Sequence, residues 1–102
     1  MFDISDTQLK AAQDIIRQDP PLIWYTKAYD QLDIRSVAEA VFNFGDKNQF
    51  AKLIAILGIQ KTAQVFDYLN AMPRNNLHPL YRNYYSLYFA RHAPKHTNIR
   101  TN

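Results

Sequence analysis

A chain of 102 residues, 47% of them hydrophobic and with a net charge of +3, is long enough to bury one core without metal or disulfide support. Cysteine is absent, which rules out a disulfide scaffold and a thiolate metal or redox site. The longest apolar run is Leu53–Leu57, far short of the ~20 residues of a membrane-spanning helix. Asp3, Asp6 and Asp14 stand where a signal peptide would carry its apolar core, so a cytoplasmic protein is expected.

Ser5 and Gln8 have the spacing of a capping box, and Leu9, Ala12, Ile15 and Ile16 follow at helical period. A first helix is predicted over Asp6–Gln18, stopping before Asp19-Pro20-Pro21. One of the two prolines opens a short turn carrying Leu22, Ile23, Trp24 and Tyr25. Trp24, the single tryptophan, is expected to anchor the core. After a polar break at Asp30–Asp33, Val37, Ala38, Val41 and Phe42 mark a second helix from Ile34 to Gly45.

Asp46 and Gln49 repeat the capping box. The apolar residues that follow, Phe50, Ala51, Leu53, Ile54, Ile56 and Leu57, lie nearly all round the third helix. It is therefore predicted to be central and buried on more than one face. Gly58, free to take a positive φ, should stop it. The fourth helix places Ile59, Ala63, Phe66 and Leu69 on one stripe, with Val65 and Met72 beside it, and breaks at Pro73 and Arg74-Asn75-Asn76.

The fifth helix should begin at His78-Pro79, since proline suits a first helical position. It carries two stripes. Leu80, Tyr84 and Leu87 are expected to face the core, leaving Tyr81, Tyr85 and Tyr88, at i, i+4 and i+7, free for a partner. The competing reading packs those three tyrosines against the first helix or the Trp24 region. Period-2 alternation is missing throughout. The expected fold is thus all-α: a compact bundle of about five helices over residues 1–93, and a flexible basic tail at 94–102 that is dispensable for stability.

Catalytic chemistry finds no constellation. Ser5, Ser36 and Ser86 sit in no nucleophile motif, Gly45 and Gly58 cannot make a phosphate loop, and Asp3, Asp6, Asp30 and Asp33 stand where caps and turns want an acid. His92 and His96 have metal-ligand spacing for a helix, but Pro94 interrupts it. No enzyme activity, cofactor or metal is expected.

Charge is distributed unevenly. Residues 1–67 hold seven Lys/Arg and nine Asp/Glu, whereas residues 68–102 hold Arg74, Arg82, Arg91, Lys95 and Arg100 and no carboxylate. Such a split marks either an ordinary basic tail or an anionic partner, nucleic acid or acidic protein. A helix-turn-helix around Gly58-Ile59 would present Gln60, Lys61, Gln64 and Asn70 to bases. However, Ile54, Gln64 and Asp67 occupy positions where that motif wants one alanine and two apolar residues. Two packed antiparallel helices fit better.

The segment from about Leu22 to Phe89 resembles a group of short bacterial helical proteins. The matching features are Leu22-Ile23-Trp24, Leu32-Asp33-Ile34 opening a helix, Gly45-Asp46, Gly58-Ile59, Leu77 with Pro79, and Leu87-Tyr88-Phe89. Genes of that group lie beside nucleotidyltransferase-like toxins of the abortive-infection type, and the proteins are regarded as antitoxins on the strength of that neighbourhood. The resemblance implies a non-enzymatic interaction module that holds a toxin-like partner inactive, and it carries over no catalytic residue. Tyr81, Tyr85, Tyr88, Arg82 and Arg91 are the residues expected to bind the partner. The alternative is a nucleic-acid-binding regulator using Arg74, Arg82, Arg91, Lys95 and Arg100.

Overall fold

A computed structural model describes residues 4–23, 26–72 and 77–93. Five α-helices and two 3-10 turns follow one another: α1 (Asp6–Gln18), turns at Pro20–Leu22 and Tyr29–Gln31, α2 (Ile34–Phe44), α3 (Lys47–Leu57), α4 (Ile59–Ala71) and α5 (Pro79–His92). The described residues contain no strand, and the fold is all-α as expected. The expectations for Trp24 and for the tail at 94–102 lie outside the described residues. No helix among those described is long and apolar enough to cross a membrane.

Both capping boxes form, and each glutamine then does a second job. Gln8 Oε1 accepts from the Ser5 N–H while its Nε2 donates to the Ile56 carbonyl at 3.1 Å. Gln49 Oε1 accepts from the Asp46 N–H while its Nε2 donates to Asp19 Oδ2 at 2.8 Å. The start of each helix is thereby tied to the end of the other, which helps to set α1 beside α3. Helices α2 and α4 pack together as a second pair, and α1 also meets α2.

Two glycines turn the chain for different reasons. Gly58 has φ 85° and ψ 150°, a region that residues with a Cβ avoid. It is the only residue between α3 and α4. Gly45 has an ordinary φ of −74°, but a Cβ there would stand 2.7 Å from the Val41 carbonyl oxygen.

The core centres on α2, which buries Ile34, Val37, Ala38, Ala40, Val41 and Phe42. Around Phe42 lies an aromatic cluster. Phe66 of α4 meets it edge-on at 5.5 Å, Tyr85 of α5 lies 5.0 Å away, and Phe50 of α3 and Phe89 of α5 both lie 6.3 Å away. Such pairs add roughly 0.5–1.5 kcal/mol each beyond their buried area.

Two sequence-based expectations are corrected here. Helix α3 is not buried on several faces: only Leu53 and Leu57 are buried, with Phe50, Ile54 and Ile56 half-buried and Ala51 and Ala55 exposed. Alanine enlarged the apolar sector on paper, yet it costs little to leave in water. The second correction concerns α5, whose two faces are exchanged. Tyr85 and Phe89 are its buried residues, whereas Leu80, Tyr84 and Leu87 are 66%, 57% and 65% exposed.

Candidate partner-binding face

Helix α5 begins where the sequence places it. Pro79 occupies the first turn, and His78 caps it by accepting the Leu80 N–H on Nδ1 at 3.2 Å. The His78 N–H donates to Asn43 Oδ1 at 3.0 Å, fastening the start of α5 to the last turn of α2. One turn further on, Arg82 Nε donates to Asn70 Oδ1 of α4 at 2.7 Å. With Tyr85 and Phe89 set into the aromatic cluster, these bonds fix the rotation of α5 about its axis.

At about 100° per residue, Leu80 and Leu87 then stand on the side of α5 opposite Phe89. Tyr84 and Arg91 share that outward side, since the series 80, 84, 87, 91 advances by alternating four and three residues. Tyr84, Leu87, Tyr88, Arg91 and His92 line an open groove of about 620 Å³ along it. One wall consists of rings: Tyr88 is 6.2 Å from Tyr84 and 4.5 Å from His92. Tyr81 is 41% exposed and lies 5.1 Å from the His78 ring.

The expected site residues therefore part company. Tyr85 is core. Burial, with Tyr84 and Tyr81 close by, pushes its hydroxyl up to about 12. Tyr88 is half-buried against the core, Tyr81 and Arg91 are exposed, and Arg82 is occupied by Asn70. Arg74, Lys95 and Arg100 lie outside the described residues. Leu80, Tyr84 and Leu87, expected inside, form the surface instead. The signal for this was present: the stripe they make runs on into Arg91, and Phe89, the strongest core-seeking residue of the helix, belongs to the other side.

Several other polar groups serve the fold. Gln60 and Lys61 of α4 are half-buried, and Asn70 holds Arg82, which leaves Gln64 as the exposed member of the set a recognition helix would have used. Asp33 caps α2 by accepting the Ser36 N–H at 2.9 Å and pairs with Arg35 at 2.7 Å. Partial burial pushes its carboxyl up, but those partners together hold it below the usual value. Asp30 and Asp14 both accept from Arg17. No cluster of three His, Asp or Glu able to hold a metal occurs among the described residues.

These features define an all-α domain with one helix that is apolar on its solvent side. The chain matches no family model, no curated protein and no solved structure.

Proposed function

We propose that the protein is a non-enzymatic interaction module that binds a protein partner through the outward face of α5, in the manner of an antitoxin holding a toxin. The observation that carries this reading is the exposure of Leu80, Tyr84 and Leu87 together on one side of a helix whose other side is core. Leaving two leucines and a tyrosine in water forfeits roughly 1.5–3 kcal/mol per fully buried side chain, which a partner covering them would recover. Tyrosine, which Tyr84 supplies within this stripe, is among the residue types that dominate binding hot spots. The antitoxin role rests on the sequence resemblance alone.

The test is a capture experiment from native lysate, with the wild-type chain and a Leu80→Ser, Leu87→Ser double variant as paired baits. A partner retained by the wild type and lost by the variant, with circular dichroism unchanged, supports the reading. Identical capture by both baits, or none by either, sinks it.

The second reading, nucleic-acid binding, is favoured by the run of residues 68–102 without a carboxylate. Phosphate contacts would make that binding fall steeply with salt, and the two leucines would have no part in it.

A further inference from the structure

Resting on the reading that α5 binds a protein, we propose that its occupant is an amphipathic α-helix whose apolar seam is flanked by carboxylates. The spacing argues for a helix. Leu80, Tyr84 and Leu87 advance by four and then three residues, the alternation with which one helix presents knobs to another. Leu80 to Leu87 spans roughly 10 Å at 1.5 Å per residue, enough to seat two turns of a partner. The rings of Tyr88 and His92 stand beside this seam and close one side of the groove.

Charge argues for the acidic flank. The seam ends on the exposed Arg91, and neither α5 nor any residue from 68 to 102 supplies a carboxylate to answer it. A partner glutamate or aspartate beside the apolar contact would meet that cation at the rim, where such pairs set orientation and choice of partner. A second copy of this chain fits less well, because its own α5 brings another arginine and no acid. A single-stranded nucleic acid fits less well too. It has no use for two leucines at the centre of the surface, and Arg82, the other arginine of α5, is already bonded to Asn70.

The experiment titrates the full chain with two synthetic helical peptides that share one leucine seam. One carries glutamate at every flanking position and the other lysine. The glutamate peptide should bind about tenfold or more tighter than the lysine peptide, the gap narrowing as salt rises. Leu80→Ser with Leu87→Ser should abolish binding of both. Arg91→Glu should remove or reverse the preference, and it serves as a second variant at an exposed position. Equal binding of the two peptides, lost in the leucine variant, overturns the acidic flank but leaves the protein-docking reading intact. Binding of neither peptide overturns the helix itself, and the capture experiment then judges the docking reading separately. Concentration-dependent dimerisation abolished by the leucine variant makes a second copy the occupant. Binding of a single-stranded oligothymidylate in place of either peptide gives the face to nucleic acid.

Discussion

Tyr85 is the residue on which the two faces of α5 turn. Its ring touches Phe42 and Phe50 at 5.0 Å and Phe89 at 6.2 Å, while its hydroxyl is held neutral far up the pH scale, to about 12 against an ordinary 10.0. A raised folded-state value means the folded protein keeps a proton that the unfolded chain gives up first. The stabilisation is therefore complete below pH 10.0 and is lost as pH rises towards about 12. Tyr85→Phe keeps the ring and removes the titration. Its melting temperature should fall less than that of the wild type across this alkaline interval, the other tyrosines being common to both. Parallel alkaline decline in the two proteins would mean that the hydroxyl is as well solvated folded as unfolded. Gln13 makes a different point at the same scale. It sits on the buried side of α1, donating to the carbonyls of Leu32 at 2.8 Å and Asp30 at 3.3 Å. Nothing in local spacing marks such a residue, because its partners lie in a turn that only the tertiary fold brings near.

At the scale of elements, much was legible. The bounds of α1 and the starts of α2, α3 and α5 follow from caps and prolines, which are local and leave a direct imprint on sequence. The faces of α3 and α5 were not legible, for a shared reason. When apolar residues surround a helix, periodicity no longer chooses a side, and the choice passes to packing. In α5 the chooser is Phe89, 1% exposed and 5.4 Å from Phe66, together with the Arg82–Asn70 bond. The exchange of faces has a direct consequence for mutation. Phe89→Ala should destabilise by about 3–5 kcal/mol, the usual range for a buried phenylalanine, whereas Leu87→Ala should stay within about 0.5 kcal/mol, as for other surface changes. Urea unfolding of the two variants measures both. Comparable losses at the two positions would mean that Leu87 is covered in solution.

For the whole molecule, stability should be spread unevenly, with α5 at the low end. Helices α1 to α4 each pack against at least two other helices of the bundle, and α2 buries six residues. Helix α5 has its backbone close to α4 and reaches α2 and α3 through the rings of Tyr85 and Phe89, the two residues it buries, and it leaves its opposite side to water along its length. Segments with few buried contacts open at lower free energy than the core. Opening α5 also exposes Phe42, Phe50 and Phe66, which limits how freely it can leave. Hydrogen exchange followed by mass spectrometry should therefore show amides in Pro79–His92 exchanging faster than those in Ile34–Phe44 under native conditions. A partner seated on Leu80, Tyr84 and Leu87 would bind only the closed helix, so saturating amounts should slow exchange in α5 more than in α2. Equal protection of the two helices without a partner would make α5 an integral part of one cooperative unit. In that case its outward face is rigid before anything docks, and binding should leave the exchange of the helix backbone unchanged.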